Sequence, residues 1–434
     1  MAVHLAKGAR DFLPDQMRNR LAVMAILRDV FERFGFEPLD TPAFERIETL
    51  TGKYGDEGEK LMFRILKRGE GGKKGEVDMA LRYDLTVPLA RVVAMNPSLR
   101  MPFKRYQMAP VWRADRPQRG RFREFYQCDV DIVGTTSTLA DAECIAVVAA
   151  SLDALGFDNY VVRLNDRRIL RAMARAVGAI DQETALLVAV DKLDKVGRDG
   201  VSRELEGAGF GPAQLETLWS ILDVPRGHGA TLDALAAKLD NEGCEGVEVL
   251  REVLQLALDM GVSPDRVVVD PTLARGLDYY TGPVYETEVL EPKIGSISGG
   301  GRYDGLVGIF GKRDVPAVGV SLGLERLITV MEELGRLPTG GATAQVLVTV
   351  FSREQAPASL ALAHALRSAG VRVELFTDDK KMKAQFKYAN ARGFEWLAIC
   401  GPDEVEAGVV VMKHLASGEQ HRVPVGDAAS LVLR

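Results

Sequence analysis

The sequence predicts an α+β protein of two or three domains, and three observations support this. Residues 103–133 alternate between a strand pattern, a basic loop and a second strand pattern, which is typical of a β-hairpin. Residues 166–260 carry almost only helical patterns, with glycine and proline between them. From residue 346 onward, strands alternate with helices as in a compact α/β domain. A chain of 434 residues, 47% of them hydrophobic, is long enough to bury the cores of several domains.

The first predicted element is a long amphipathic helix. Asp15 can cap it and Gly35 ends it, and apolar residues recur every three or four positions between them. The next segment, 36–44, contains two prolines, so we expect an extended chain at a sheet edge. The lysine- and glycine-rich segment 67–75 predicts an exposed loop between two strands.

The remaining elements follow from their periodicity. Beyond the hairpin, the predicted helices cover 140–155 and 322–334, and the predicted strands cover 160–164, 266–270 and 284–290. A proline and two glycines at 338–341 mark a linker. After it, strands are predicted over 346–351, 371–376 and 396–400, and helices over 356–368 and 380–391.

Charge and composition narrow the class of protein. The net charge of −6 disfavours a uniformly basic surface, but basic residues gather in two clusters, at 104–123 and 380–392. Each cluster is either a solvated face or a phosphate-binding surface. No apolar stretch is long enough for a bilayer, the first ten residues lack a secretory signal, and four scattered cysteines fit reduced thiols. We therefore expect a cytoplasmic protein without a membrane segment.

The hairpin carries the first group of candidate site residues. Arg113 lies at its base, arginines crowd its tip, and alternation places Gln127, Asp129 and Asp131 on one face of the returning strand. Guanidinium groups suit carboxylates and phosphates. Without the rest of the sequence, a charged surface hairpin and a ligand-binding hairpin are equally good interpretations.

Three later segments add candidates. Segment 273–282 places a cation beside two tyrosines, the glycine-rich segment 298–305 permits close backbone approach to a ligand, and segment 318–327 leads a strand into a helix with an early arginine. The first also has a plain interpretation as packing and the third as an exposed helix, and the glycine-rich segment is weak evidence by itself. The chain has no Walker phosphate-binding motif, so an ATP site requires another design.

In this order the segments resemble class II aminoacyl-tRNA synthetases, and the histidyl-tRNA synthetase family in particular. The first helix through 41–45 resembles motif 1, segment 103–133 resembles motif 2, and segment 319–326 resembles motif 3. Segments 273–282 and 298–305 resemble the two histidine-specific signatures, which discriminate between synthetases far better than the class motifs do.

The resemblance implies the architecture and the partners. It implies an antiparallel catalytic sheet flanked by helices in two parts, 1–165 and 261–336, interrupted by a helical insertion, 166–260, and followed by an α/β anticodon-binding domain, 343–434. It also implies ATP and L-histidine as substrates, Mg²⁺ bound with ATP, tRNA(His) as partner, and a homodimer formed through motif 1. It does not identify the ligands of the metal.

Matching positions to the family's motifs implies the following roles. Arg113 and Arg275 are the catalytic cations. The histidine-binding residues are Asp84, Leu85, Thr86, Arg113, Gln127, Asp131, Arg275, Tyr279 and Tyr280. The ATP-binding residues are Arg113, Arg121, Phe125 and Arg326. The tRNA-binding residues are Arg116, Gln118, Arg119, Arg123, Lys383 and Lys387. Asp84 and Asp131 stand where glutamates are frequent in bacterial members, which shortens both carboxylates.

Two other functions compete with this interpretation. A noncatalytic synthetase-like regulatory subunit of ATP phosphoribosyltransferase would share the fold, but we would not expect it to keep Arg275, Arg326 and a complete anticodon-like domain. A stand-alone tRNA-binding protein would leave the ATP and histidine positions without a purpose. Exchange of pyrophosphate into ATP separates an enzyme from both.

Overall fold

The structure is a computed structural model, and it describes residues 3–225, 227–274, 279–311, 313–337 and 341–433, without the side chains of residues 56 and 57. The chain divides into two compact units, Met1–Leu337 and Pro338–Arg434. No helix among the described residues is long and apolar enough to cross a bilayer.

The first unit contains thirteen α-helices and eleven strands among its described residues. The helices are α1 (Pro14–Arg33), α2 (Ile47–Leu50), α3 (Gly55–Lys60), α4 (Glu70–Lys73), α5 (Thr86–Met95), α6 (Thr138–Ala154), α7 (Arg167–Ala176), α8 (Glu183–Val190), α9 (Leu193–Gly207), α10 (Pro212–Leu222), α11 (His228–Ala236), α12 (Asn241–Asp259) and α13 (Leu324–Glu333). The strands are β1 (Glu37–Pro38), β2 (Phe44–Arg46), β3 (Arg64–Leu66), β4 (Val77–Leu81), β5 (Phe103–Trp112), β6 (Glu124–Val133), β7 (Tyr160–Asp166), β8 (Val267–Val269), β9 (Pro283–Val289), β10 (Ser296–Arg302) and β11 (Ala317–Gly323).

An eight-stranded sheet forms the centre of this unit, in the order β1-β5-β6-β11-β10-β9-β7-β8. All neighbouring strands are antiparallel except the two outer pairs, β1–β5 and β7–β8. The α+β class and the antiparallel sheet are therefore confirmed. The register places Gln107 of β5, Asp129 of β6 and Ser321 of β11 side by side on three neighbouring strands.

The segments before the hairpin show two differences from the sequence prediction. Helix α1 begins at Pro14 with Leu13 as its N-cap, so Asp15 lies inside the first turn instead of capping it. A proline at the first helical position explains this, because its missing N–H needs no cap and its φ is already helical. The predicted loop 67–75 contains the short helix α4, while β2, β4 and β3 form a separate three-stranded sheet beside it.

The helices α7 to α12 account for the predicted helical run. Asp166 caps α7 by accepting a hydrogen bond from the backbone N–H of Arg168 at 2.8 Å. The apolar faces of α7 and α12 share one buried cluster with the sheet, to which Ile169, Leu250 and Val162 belong. The burial of these helices against the sheet explains why their sequences keep a helical apolar period. Their status as a separate domain stays a prediction.

The second unit is an α/β domain with a five-stranded sheet in the order β13-β12-β14-β15-β16. Its strands are β12 (Val346–Val348), β13 (Val373–Leu375), β14 (Trp396–Ile399), β15 (Val409–His414) and β16 (Gln420–Pro424), and its helices are α14 (Ala356–Ser368), α15 (Met382–Arg392), α16 (Pro402–Glu406) and α17 (Ala428–Val432). The alternating strands and helices are confirmed. Strands β15 and β16 form an antiparallel extension that the sequence analysis did not predict.

Candidate functional site

A cavity of about 300 Å³ opens on one face of the large sheet. It is lined by side chains of β6, β9, β10 and β11, by the start of α5, and by the hairpin residues before β6. Three of the four candidate segments therefore contribute to one cavity: the hairpin, the glycine-rich strand and the strand before α13. The described end of the fourth, Tyr279 and Tyr280, lines it as well.

Two glycines on neighbouring strands form part of the cavity lining. A Cβ atom on Gly300 would lie 2.2 Å from the carbonyl oxygen of Gly319 and 2.7 Å from the ring of Tyr285. A Cβ atom on Gly319 would lie 2.0 Å from the carboxylate of Asp131. Both positions exclude any side chain, so close packing, rather than turn geometry, requires glycine at these sites.

Arg113 lies at the base of the hairpin, where its guanidinium group is held between two rings. Its Nε donates a hydrogen bond to the carbonyl of Tyr83 at 3.1 Å, and its guanidinium carbon lies 4.3 Å from the ring centroid of Tyr83 and 5.3 Å from that of Phe125. These contacts fix the plane of the guanidinium group. Since Arg113 and Phe125 both line the cavity, the guanidinium group of Arg113 is available to an anionic ligand there.

Asp84 lies at the start of α5 and is only 1% exposed. Its carboxylate accepts hydrogen bonds from the hydroxyls of Tyr54 and Tyr279, at 3.0 and 3.2 Å, and from the backbone N–H of Val87 at 3.0 Å. Burial raises the pKa of Asp84, and these donors together with Arg113 lower it in part. Asp84 is thus a preorganised acceptor in the cavity wall.

Leu85 and Thr86 follow Asp84 but differ in their contacts. Leu85 is fully buried, and its carbonyl accepts a hydrogen bond from Arg105 at 3.2 Å. Thr86 is the first residue of α5 and lines the cavity. Of these two predicted histidine-binding residues, only Thr86 presents its side chain to the cavity.

The inner end of the cavity contains two carboxyl groups. Asp131 lies 2.8 Å from the guanidinium group of Arg105, which is fully buried, and it accepts a hydrogen bond from the hydroxyl of Tyr303. Asp129 is 2% exposed, and its Oδ1 atom has no hydrogen-bond donor among the described residues. Burial, and the neighbouring Asp131, raise the pKa of Asp129 to about 7 despite the attraction of Arg105.

A short hydrogen-bond chain connects Gln127 with Asp129. The amide of Gln127 donates to the hydroxyl of Ser321 at 2.7 Å, and Ser321 is hydrogen-bonded to Asp129 in turn. The amide oxygen of Gln127 is buried without a donor among the described residues. Three buried acceptors without a hydrogen bond among the described residues therefore lie along the same strand: Gln127 Oε1, Asp129 Oδ1 and Asp131 Oδ2, the last of which is 2.8 Å from Arg105.

The helix that follows β11 contributes a cation and a carboxylate. Arg326 lines the cavity and donates to the carbonyl of Ser296. Glu325 is 4% exposed, forms an ion pair with Arg20 at 2.9 Å, and accepts a hydrogen bond from the backbone N–H of Tyr126 at 2.8 Å. Glu325 thereby attaches helix α13 to the base of the hairpin and to α1.

The predicted tRNA-binding residues of the hairpin lie in the loop between β5 and β6. Arg119 forms an ion pair with Glu333, and Arg123 donates to the carbonyl of Asp115 at 3.1 Å. The backbones of Gln118 and Arg121 pair within the tip, and Arg116 is in the same loop. Arg121, predicted to bind ATP, is 3.1 Å from Asp115 and lines the cavity. The tip is thus an ordered, self-paired loop.

The other predicted residues lie elsewhere. Lys383 and Lys387 are exposed on α15 of the second unit. Phe386 and Tyr388 of the same helix are partly buried and pack against a cluster that includes Leu347. Arg275, a predicted catalytic and histidine-binding residue, lies outside the described residues.

Sequence reasoning missed several buried polar residues in the cavity wall and behind it. It assigned Arg105 to a basic surface cluster, whereas Arg105 is fully buried beside Asp131. It gave no role to Tyr303, and in its glycine-rich segment it did not foresee the pairing of Arg302 with buried Asp141. Arg105 and Gln107 are two positions apart on the predicted strand, so they lie on the same face of it. That face is shared with Asp129 and Asp131 of the neighbouring strand, and this was a signal that Arg105 is buried.

No group of three or more histidine, cysteine, aspartate or glutamate residues that could hold a metal ion occurs in the described part of the chain. Mg²⁺ does not require such a group, since it keeps several waters and takes one or two carboxylates beside substrate phosphates. Glu286 lines the cavity and can supply one such carboxylate, whereas Glu325 is paired with Arg20, so the residues fit an ion that is held mainly by phosphates.

Comparison with known proteins assigns both units to characterised domains. Residues 8–327 match the family model described as histidyl-tRNA synthetase, and residues 345–434 match an anticodon-binding domain. The histidine–tRNA ligase of Aeropyrum pernix is 44% identical over 99% of this chain and 97% of its own length. That of Cytophaga hutchinsonii is 41% identical over 96% and 97%.

Solved structures agree with these matches. A histidyl-tRNA synthetase from Nostoc sp. PCC 7120 superimposes with a TM-score of 0.86 at 33% identity, covering 100% of this chain and 99% of that one. A structure from Bacillus halodurans, described as an ATP phosphoribosyltransferase regulatory subunit/histidyl-tRNA synthetase, has a TM-score of 0.76 at 22% identity, over 92% of this chain and 98% of that one. At that identity the second match shows the fold alone.

Proposed function

The chain belongs to the histidyl-tRNA synthetase family, and we propose that its cavity activates L-histidine with ATP and passes the histidyl group to tRNA(His). The observation that carries this proposal is that Arg113, Asp84, Gln127 and Arg326 line one cavity. Glycines of two neighbouring strands form part of the same lining. Amino-acid activation requires cations that bind phosphate and carboxylate groups. It also requires hydrogen-bond acceptors for the ammonium group of the amino acid. The regulatory-subunit alternative is not favoured.

The first step joins the amino acid to ATP. The histidine carboxylate attacks the α-phosphorus, an oxygen–phosphorus bond forms, and pyrophosphate leaves with the electrons of the broken bond. The attacking group is already an anion, so no base is needed, and the barrier is lowered by positioning and by neutralising phosphate charge. We assign this task to Arg113, held between Tyr83 and Phe125, and to Arg275; Arg326 serves the distal phosphates.

The amino acid needs acceptors for its ammonium group. Asp84, Thr86 and the amide oxygen of Gln127 line the cavity on the side of Arg113, and we assign the α-ammonium group to them. A cation bound there offsets the burial of the Asp84 carboxylate and fills the unsatisfied acceptor on Gln127. Tyr280 and Asp131 lie among the residues of the inner end, where the imidazole ring is expected.

The second step transfers the histidyl group. The ribose hydroxyl at the end of tRNA attacks the carbonyl carbon of the adenylate, and AMP leaves. We assign the acceptor stem to the hairpin residues Arg116, Gln118, Arg119 and Arg123, and the anticodon region of the RNA to Lys383 and Lys387. Exposed basic side chains suit the phosphate backbone.

Mg²⁺, a homodimer and a cytoplasmic location complete the proposal. Mg²⁺ would be held by ATP phosphates and Glu286, and it neutralises phosphate charge when bound.

The segment that resembles motif 1 exposes Leu21 of α1 and Phe44 of β2, which are 53% and 52% exposed. Exposed apolar groups of this size favour coverage by a second copy. Light scattering during gel filtration measures the oligomeric state.

Exchange of pyrophosphate into ATP tests the activity. The purified protein is assayed with Mg²⁺ and each of the twenty amino acids separately. We expect exchange with histidine alone. Exchange with a different amino acid would contradict the assigned substrate, and no exchange with any of them, in a folded protein, would favour the regulatory-subunit alternative.

A further inference from the structure

The residues just before helix α1, 7–12, form a pre-helix segment that contacts the loop between β5 and β6. The carbonyl of Gly8 accepts a hydrogen bond from the backbone N–H of Arg123 at 2.9 Å, and the carbonyl of Lys7 accepts one from its guanidinium group at 3.5 Å. Gly8 has a φ of 86°, and a Cβ atom on it would lie 2.7 Å from Cγ of Arg123. Both the backbone conformation and the close approach therefore require glycine at this position.

Two guanidinium groups and three aromatic rings alternate between the pre-helix segment and the hairpin. The guanidinium carbon of Arg10 lies 3.3 Å from the ring centroid of Phe122 and 4.9 Å from that of Phe12. The guanidinium carbon of Arg20 lies 3.9 Å from the centroid of Phe12 and 5.1 Å from that of Tyr126. Since Phe122 and Tyr126 belong to the hairpin, cation–π contacts connect it to the pre-helix segment and to α1.

The two arginines differ in how they contact Glu325 of α13. Arg20 is 2.9 Å from this carboxylate, and its side chain is 4% exposed. Arg10 is 3.9 Å from the same carboxylate, and its side chain is 37% exposed. A long, partly exposed ion pair stabilises little, so the contact with Phe122 is the closer and more specific interaction of Arg10.

Phe122 belongs to the part of the cavity wall that the hairpin loop supplies. It lines the cavity together with Gly120 and Arg121 of the same loop, and Arg121 is a predicted ATP-binding residue. Arg10 itself lies outside the lining that the described residues form. Arg113, at the base of the hairpin, is held separately by contacts of its own. The loop part of the wall is thus supported from outside the cavity by the pre-helix segment.

We propose that Arg10 is a positioning residue for ATP: through Phe122 it holds the loop between β5 and β6 in the conformation that completes the cavity. A loop that is already ordered does not have to be ordered by the ligand, so ATP binds more tightly. Histidine is assigned to residues of β6 and α5, and its binding should not depend on this loop. The inference rests on the proposed function and adds to it a residue that acts from outside the site.

The first test compares the two substrates in pyrophosphate exchange. Arg10→Ala should raise KM for ATP about 5- to 30-fold, as expected for loss of a partly desolvated cation–π contact, while KM for histidine and kcat change less than about twofold. Arg10→Lys keeps the charge without the planar group and should restore only part of the loss. Arg18→Ala, which removes another arginine near the start of α1, is the matched control. An unchanged KM for ATP in Arg10→Ala, or equal rises for both substrates, would overturn the proposal.

A double-mutant cycle tests whether Arg10 acts through Phe122. Phe122→Leu removes the ring but keeps an apolar side chain. In that background, Arg10→Ala should raise KM for ATP by less than about twofold further, because its contact is already lost. Fully multiplicative effects of the two substitutions would show that Arg10 acts on the fold and not through Phe122.

Tryptic cleavage of the loop provides a measurement that does not depend on activity. Trypsin cuts after Arg119, Arg121 and Arg123, and mass spectrometry measures the rate at each position in the protein without ligand. Cleavage should be several-fold faster in Arg10→Ala and in Gly8→Ala than in wild type and Arg18→Ala, because it follows the population of the opened loop. If Arg10→Ala does not fold, Arg10→Lys provides the same comparison.

The combined results separate this inference from the function on which it rests. Equal cleavage rates in all variants of an active protein would overturn the role of Arg10 alone. A wild type without histidine-dependent exchange would overturn the proposed function and, with it, the role of Arg10 in ATP binding.

Discussion

Arg105 and Asp131 face each other across the β5–β6 pair, with the guanidinium nitrogen 2.8 Å from the carboxylate and both side chains at most 3% exposed. Removing one partner leaves the other charged in a buried site, which is far more costly than removing both. The pair therefore makes the inner end of the cavity sensitive to single substitutions.

We predict that Asp131→Asn lowers the free energy of unfolding by about 3–5 kcal/mol, because Arg105 then lacks its counter-charge. Urea denaturation followed by circular dichroism measures the change. The double variant Arg105→Met/Asp131→Leu is expected to recover most of the loss. A single variant within about 1 kcal/mol of wild type would show that Asp129, which also interacts with Arg105, supplies the counter-charge instead.

Arg113 is predicted to act on the reaction more than on the fold. Arg113→Ala should slow adenylate formation by about 100- to 1000-fold, the range found when a group that stabilises developing charge is removed. Single-turnover formation of histidyl-adenylate measures the rate. Arg116→Ala, from the tip of the same hairpin, is the matched control and should keep a near-normal rate. Equal losses in both variants would indicate that the whole hairpin is perturbed.

The pKa of Asp129, raised by burial to about 7, predicts a pH dependence. The charged and titratable groups that interact with it are Arg105, Asp131, Asp84, Tyr280, Arg82 and Cys128. As pH falls through about 7, Asp129 becomes protonated and the cavity loses a negative charge that favours a cationic substrate, so kcat/KM for histidine should fall. Free histidine titrates in the same range for every variant, so the ratio of wild type to Asp129→Asn isolates the effect. A ratio that stays constant from about one pH unit below to one above this pKa would contradict it.

The raised pKa of Asp129 makes the folded protein more stable as pH falls, although activity is expected to decrease over the same range. The folded pKa of Asp129 lies above its ordinary value of 3.8, so the folded state binds a proton more readily than the unfolded state does. The contribution of this group to the free energy of unfolding therefore grows as pH falls from about 7 toward 4. Asp129→Asn should remove this component of the pH profile of urea denaturation.

Gly300 is predicted to tolerate no side chain. Gly300→Ala places a Cβ atom 2.2 Å from the carbonyl oxygen of Gly319, so the strands must separate at a cost of about 1–3 kcal/mol or more. A Cβ atom on Gly305, in the same glycine-rich segment, would lie in open space with nothing within 4 Å, and Gly305→Ala should change stability by less than about 0.5 kcal/mol. The thermal unfolding of both variants is measured. A loss of stability in Gly300→Ala alone supports a packing role for Gly300, whereas equal stabilities would indicate a flexible loop.

The two lysines of α15 are predicted to affect RNA binding alone. Lys383→Ala and Lys387→Ala should each weaken tRNA binding and reduce the slope of log affinity against log salt by about 1, while pyrophosphate exchange stays normal. Lys74→Ala, an exposed lysine of the first unit, is the control. Unchanged salt slopes in both α15 variants would place the RNA elsewhere.

Periodicity was sufficient for elements that bury one continuous face. Helix α14 was predicted over the residues it occupies, and β5 and β6 begin and end the predicted hairpin segment 103–133. Strands β15 and β16 were missed, because they lie between turns and pair with each other and with β14. Their stability depends on partners that local sequence does not reveal.

The sequence by itself determined the family, the order of the motifs, and the identity of the polar residues that β6 and α5 bring to the cavity, because alternation along a strand does not depend on what surrounds it. Tertiary structure alone decided which of those groups are already satisfied. Arg105 is buried against Asp131 by the pairing of β5 with β6, and Ser321 reaches Asp129 only because β11 joins the same sheet. Hydrogen-bond satisfaction is a property of neighbours distant in sequence, so the pattern of one strand could not have shown which of its polar groups find partners in the protein.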